Sequence, residues 1–163
     1  MQAASTRPVD DIERIVETYG NMLFRICLVT LDNEADAEDA VQDTLIKYIR
    51  KAPSFNDSEH EKAWLIKVAV NRCRDMIRSG KRRAEYEIKN TGTQYADRES
   101  GQIIEALMTL PDKFKTVLTL HYVEEYKVEE IAKMIGKSSS AVKMRLQKGR
   151  KLLEEAYRKE LME

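Results

Sequence analysis

The chain has 163 residues with 28 basic and 28 acidic side chains, 42% hydrophobic and 34% charged residues, and only 6 glycines and 3 prolines. That composition supplies core material for one domain or two small ones and argues against an all-β design full of tight turns. No run of about 18 apolar residues and no basic-then-apolar leader is present, and Cys27 and Cys73 stand apart without a CxxC or a paired His, so the expectation is a reduced, cytosolic protein with no membrane span, disulfide framework or metal site.

In the first half, Ile12, Ile15, Val16, Tyr19, Leu23, Ile26 and Cys27 recur at helical spacing, as one face of an amphipathic helix or helix pair would. Asp32 or Asn33 offers a cap for a second helix, along which Ala37, Ala40, Val41, Leu45, Tyr48 and Ile49 keep the period. The stretch 52–58 reads as a loop, because Pro53 disfavours helix before it and Asn56, Asp57 and Ser58 supply turn and cap chemistry. A third helix is expected from about Glu59 to Ser79, with Ala63, Trp64, Ile66, Val70, Cys73 and Ile77 as its apolar stripe. From Gly80 to Gly101 the periodicity fails, which predicts a flexible linker. Helices are then expected over 102–109, 112–122, 128–135 and 139–159, joined by very short turns. The fold class is all-α: two small helical domains, 1–79 and 102–163, on a tether spanning 80–101.

The neutral total hides a segregation of charge. Residues 1–50 carry five basic and ten acidic side chains, whereas Lys62–Arg83 carries eight basic ones against the single acid Asp75. A second block, Lys137–Leu153, holds Lys137, Lys143, Arg145, Lys148, Arg150 and Lys151 and no acid. An ordinary solvated helix mixes signs to gain pairs one turn apart, so an acid-free segment of this length implies a polyanionic partner. The short helix at 128–135, the turn at Gly136 and the longer basic helix behind Ser138 have the order of a helix-turn-helix. Gly136 suits a left-handed helix end and Ser138 an N-cap. Val142, Leu146, Gly149 and Leu153 would face inward, leaving Ser139, Ser140, Lys143, Met144, Gln147 and Arg150 toward a major groove, where Lys and Arg suit guanine and Gln suits adenine. Gly149 in mid-helix costs about 1 kcal/mol relative to Ala, which a close helix contact would offset.

The run Asp36-Ala37-Glu38-Asp39-Ala40-Val41-Gln42-Asp43-Thr44-Leu45 resembles a motif of the extracytoplasmic-function (ECF) sigma factors of bacterial RNA polymerase. Phe55, Ala63–Arg72, Asp75 and Arg78 are similar to a second motif of that family; Leu110-Pro111, Glu130-Ile131-Ala132 and Ala141–Leu146 are similar to its second domain. The resemblance implies that 1–79 is a region 2 domain, which docks on core polymerase and melts the −10 element, and that 102–163 is a region 4 domain, which reads the −35 element. It implies core binding, at the clamp coiled coil, by Asp39, Gln42 and Asp43, which share one helix face. It implies −10 contacts from Phe55, Asn56, Asp57, Ser58, Lys67, Asn71, Arg72 and Arg78. Strand opening needs a cationic track and a place for an extruded base, whose capture offsets a few kcal/mol of unpairing. It implies −35 contacts from Ser139, Ser140, Lys143, Met144, Arg145, Gln147, Lys148 and Arg150.

The expected partners are core RNA polymerase (clamp coiled coil and flap), promoter DNA and an anti-sigma factor, free or membrane-anchored. The tether would occupy polymerase channels in such a complex. No cofactor, small-molecule substrate, catalysis or further C-terminal domain is expected. His60 and His121 have no ligand partners at metal spacing and read as loop or packing residues. Ser140-Ala141-Val142 replaces the family's frequent Gly-Thr-Val, and Met144 takes a position where Ser is common, so the −35 preference can differ from the usual one. Two other readings compete: a stand-alone helix-turn-helix repressor or activator, which would bind a symmetric duplex without polymerase, and a helical adaptor indifferent to DNA.

Overall fold

The computed structural model describes residues 8–80 and 98–162. The chain divides into two compact units on either side of the Arg83–Ala84 bond. Most of the expected tether, 81–97, lies outside the described residues. Every regular element among the described residues is helical.

The first unit is three helices, α1 (Val9–Leu31), α2 (Glu34–Lys51) and α3 (Ser58–Arg78), each packed against the other two. Ile15, Leu23, Ile26 and Cys27 of α1, Ala37, Ala40 and Tyr48 of α2, and Leu65, Ile66, Ala69 and Cys73 of α3 are fully buried and form its core. One helix, rather than a pair, spans the first apolar pattern. Val16, expected on its inner face, is 45% exposed. On α3 the buried face is broader than the expected stripe, since Leu65, Val68, Ala69 and Met76 also lie inside.

Asp32 and Asn33 divide the α1–α2 turn between them. Asp32 ends α1 in the left-handed conformation (φ 55°) with its N–H on the Leu28 carbonyl at 2.8 Å. The buried side chain of Asn33 accepts the Asp36 N–H at 2.9 Å and so caps α2. A polar network closes the other end of the bundle. The Arg14 guanidinium donates to both oxygens of the nearly buried Glu61 at 3.0 Å each, and to Asp11 Oδ1 at 2.9 Å. Tyr48 Oη, in the core, donates to Glu61 Oε2 at 2.8 Å. One carboxylate thus ties all three helices together.

In the second unit, α4 (Arg98–Met108), α5 (Asp112–Leu118) and α6 (Val128–Ile135) all pack on α7 (Ser139–Met162). Helix α4 begins four residues before the expected 102. Helix α5 does not run straight to 122 but widens into a π-helical turn over Thr119–Val123. That turn is closed by Glu124 N–H on the Thr119 carbonyl at 3.0 Å, and Tyr126 N–H on the Leu120 carbonyl at 2.9 Å follows it. The His121 ring supports the exit, with Nδ1 2.9 Å from the Tyr126 carbonyl, which makes Nδ1 the donor.

Candidate polymerase- and nucleic-acid-binding surfaces

Helix α2 carries the acidic surface. Its first turn is acidic, which suits the positive end of the helix dipole, and Arg50 and Lys51 close its last turn. Asp36 and Ala40 turn inward, which leaves Glu38, Asp39 and Gln42 exposed on the far side. Asp43 belongs to the same helical neighbourhood but is committed elsewhere: its Oδ2 lies 2.7 Å from Arg72 Nε of α3.

On α3, Lys67, Asn71, Arg74 and Arg78 follow at steps of four, three and four, so they form one stripe along the helix. Lys67 and Arg78 are exposed, and Asn71 and Arg74 are half-buried. Arg72, which sequence reasoning grouped with this stripe, points instead toward α2 and Asp43. At about 100° per residue it stands roughly 140° around the helix from Lys67. It is not part of the same cationic track.

The 52–57 loop is held from both sides. Asp57 caps α3, its exposed carboxylate accepting the His60 N–H at 2.8 Å, so one of its oxygens is engaged at the helix start. Ser58 is already helical, and its carbonyl accepts from Tyr19 Oη at 3.4 Å. Phe55 is half-buried in an aromatic nest: stacked with Tyr48 (centroids 6.2 Å, planes 8° apart), and edge-on to Trp64 at 5.9 Å and His60 at 5.2 Å. Trp64 also meets Tyr48 at 6.0 Å, so its ring belongs to this cluster. Asn56 and Ser58 are exposed.

The helix-turn-helix is built as its local signals dictate. Gly136 ends α6 at φ 68°, in the left-handed region, and Ser138 Oγ accepts the Ala141 N–H at 3.1 Å to cap α7. Val142, Leu146 and Gly149 are buried, and a Cβ on Gly149 would stand 3.2 Å from Leu118 Cδ1, so the glycine permits close approach of α5. The opposite face presents Ser140, Lys143, Met144, Gln147 and Lys148, with Met144 70% exposed; Ser139 and Arg145 are half-buried. Arg150 is braced, its Nη1 donating to Tyr122 Oη at 2.9 Å.

Sequence reasoning missed the neighbours of this face. Lys113 and Lys148 both lie over the Phe114 ring, at 5.1 and 5.8 Å, and a groove lined by Lys113, Phe114, Met144, Arg145, Lys148 and Lys151 runs beside α7. Around the 52–57 loop Glu61 was likewise missed, while Tyr48, read as a core position, and His60, read as a loop or packing residue, were not placed against Phe55. Only packing brings these residues together.

Residues 15–83 match the Sigma-70 region 2 family and residues 100–153 the Sigma-70, region 4 family. The chain is 30% identical to RNA polymerase sigma factor SigV of Bacillus subtilis, over 80% of this chain and 81% of that one. The chain belongs to the ECF sigma factors of bacterial RNA polymerase. Such a factor directs core polymerase to promoters at initiation, its regions 2 and 4 binding polymerase and promoter DNA, and that is the role of this chain. It is also 29% identical to the ECF sigma factor SigW of the same organism, over 93% of this sigma factor and 89% of that one. The fold is shared with the sigma factor RpoE of Bartonella quintana, solved with the anti-sigma factor NepR, at 23% identity and a TM-score of 0.78 over 92% of this chain and 98% of that one. CnrH, solved with the cytosolic domain of CnrY, gives 22% identity and a TM-score of 0.66 over 93% and 90%. No described helix is long and apolar enough to cross a membrane.

Proposed function

We propose a division of labour among three surfaces of this sigma factor. The exposed face of α2 around Asp39 and Gln42, with Asp43 at its margin, docks on the polymerase clamp. The Lys67–Asn71–Arg74–Arg78 stripe follows the backbone of the opened −10 strand, while Asn56 and Phe55 at the head of the loop and Asn71 on the helix meet an extruded base. Asp57 serves this loop as its cap, and Ser58 starts the helix behind it. On α7, Ser139, Ser140, Lys143, Met144, Gln147 and Lys148 read the −35 duplex, and Arg145 and the braced Arg150 contact its phosphates.

The observation that carries this reading is the segregation of charge onto separate faces: the acid-free first four turns of α7, residues 139–153, in one unit, and an acidic α2 against a cationic α3 stripe in the other. A polyanion binds the cationic faces and is repelled by α2, so α2 is left for a basic protein surface. The factor works in the cytosol as a non-catalytic subunit. An anti-sigma factor restrains it by covering these surfaces, a reading supported by the anti-sigma complex in which RpoE was solved.

Run-off transcription with purified core enzyme tests the whole. A promoter-dependent product is expected with the wild-type chain. It is expected to be lost in D39K/Q42K, with core binding, and in K143A/K148A, with −35 binding alone. Co-migration of D39K/Q42K with core at wild-type affinity would reject the α2 assignment.

A further inference from the structure

Asp57 and His60 make a reciprocal clasp at the start of α3. Asp57 is the N-cap and His60 stands three residues on, where a capping box places a side chain that reaches back to the chain before the helix. The Asp57 carboxylate accepts the His60 N–H at 2.8 Å, and His60 Nδ1 in turn faces the Asn56 N–H at 3.3 Å. For Nδ1 to accept, the ring proton must sit on Nε2. The same ring meets Phe55 edge-on, with centroids 5.2 Å apart and planes at 90°. His60 is exposed. It adds nothing to the core of the bundle, yet it touches the two loop residues given to base capture, one by a hydrogen bond and the other by its ring.

We infer that His60 is a positioning residue for promoter opening: it fixes the Phe55–Asn56 corner so that the corner is already shaped to receive an unstacked base. This rests on the loop assignment above. The physical argument is one of entropy. Holding a residue's backbone in a single conformation costs conformational entropy, and a loop that is not held beforehand bears that cost at the moment of capture. Tyr48 and Trp64 provide a rigid back wall for Phe55, and Tyr48 is itself anchored on Glu61 at 2.8 Å. His60 clasps the corner from the open side through contacts a single substitution can divide, because it supplies an acceptor and a ring at once.

Three variants separate the contributions. H60A removes both, H60N keeps an acceptor where Nδ1 stood, and H60F keeps a ring against Phe55 with no acceptor. The readout is discrimination rather than affinity. Holoenzyme is titrated with labelled non-template single strands from a promoter mapped by its transcript start, intact or with one −10 base at a time replaced by an abasic site. In wild type the abasic penalty at the captured base is expected to be about fivefold or more, as base–aromatic stacking and edge contacts imply. In H60A it is expected to fall below about twofold, H60N is expected to recover most of it, and H60F is not. Core affinity, −35 duplex binding and thermal unfolding are expected to be unchanged in all three. An undiminished penalty in H60A, or equal recovery by H60N and H60F, overturns the role of His60. A wild-type holoenzyme with no abasic penalty at any position overturns the loop assignment itself, and with it this inference.

Discussion

At the residue scale, Glu61 shows how a charge can be kept inside a small helical unit. Burial pushes its carboxyl group up, but the hydrogen bonds from Arg14 and Tyr48, together with the Arg14 charge, outweigh that and hold it below the ordinary carboxylate value, against repulsion from Asp11. A depressed folded value means stability that is present above the unfolded pKa, about 4.3, and is lost as pH falls through the folded one. The Arg14 guanidinium is raised further by the hydrogen bonds it donates to Glu61 and Asp11, stays charged throughout, and adds no pH dependence of its own. Urea unfolding of the chain is therefore expected to show a first-unit midpoint that drops below about pH 4.3, and E61Q is expected to flatten that drop. E61A should cost about 1–3 kcal/mol at neutral pH, because Arg14 and Tyr48 lose their shared charged acceptor and Tyr48 keeps only Asp11 Oδ2 at 3.1 Å. Gly149 is the corresponding point in the second unit. Its missing Cβ lies 3.2 and 3.3 Å from Leu118 atoms and 3.4 Å from Phe114 Cβ. G149V would drive two further methyls into that contact, and a loss of about 1–3 kcal/mol in second-unit thermal unfolding is expected.

At the element scale, the Asp43–Arg72 ion pair couples α2 and α3. Asp43 and Arg72 are both partly exposed, so a double-mutant cycle with D43N and R72Q should yield a coupling of only about 0.2–1 kcal/mol in stability. A coupling above that range would mean the pair is shielded from solvent more than its exposure implies. Sequence reasoning came close on the elements whose ends are set by local chemistry. Gly136 adopts the left-handed turn, Ser138 caps α7, Asn33 caps α2, and the periodic stretches between them are helices. It failed where packing decides. Nothing in Thr119–Val123 announces a π-helical turn, which is closed by carbonyls finding N–H groups five and six residues on. The expected break at 80–101 overran α4 because Glu99-Ser100-Gly101 looks like a loop while the helix already starts at Arg98. The pairing of Arg72 with Asp43 is equally invisible in sequence, since the partner lies 29 positions away, beyond any periodicity. The aromatic nest is another tertiary fact, since Trp64 can be read from sequence as a stacking platform or a core residue until Tyr48 and Phe55 are seen around it.

At the scale of the whole molecule, a formally neutral chain binds DNA because its charges cancel only in the sum. Each cationic face sits in its own unit, and connecting them in one chain makes the second contact intramolecular once the first has formed. The two contacts should therefore be separable by salt. Phosphate contacts release counterions, and each one removed lowers the slope of log affinity against log salt by about one. In the holoenzyme, K143A/K148A is expected to lower that slope by one to two for a −35 duplex, and to leave it unchanged for a −10 single strand. K67A/R78A should do the reverse. If a lysine grips a base edge instead of a phosphate, its removal weakens binding by about 1–3 kcal/mol at one base position and hardly moves the slope. Measuring both quantities on the same variants thus sorts Lys143 and Lys148 into base readers and backbone contacts. A slope that fell equally on both probes for either pair would mean that the two faces act as one diffuse cationic surface, against the separation of the two units.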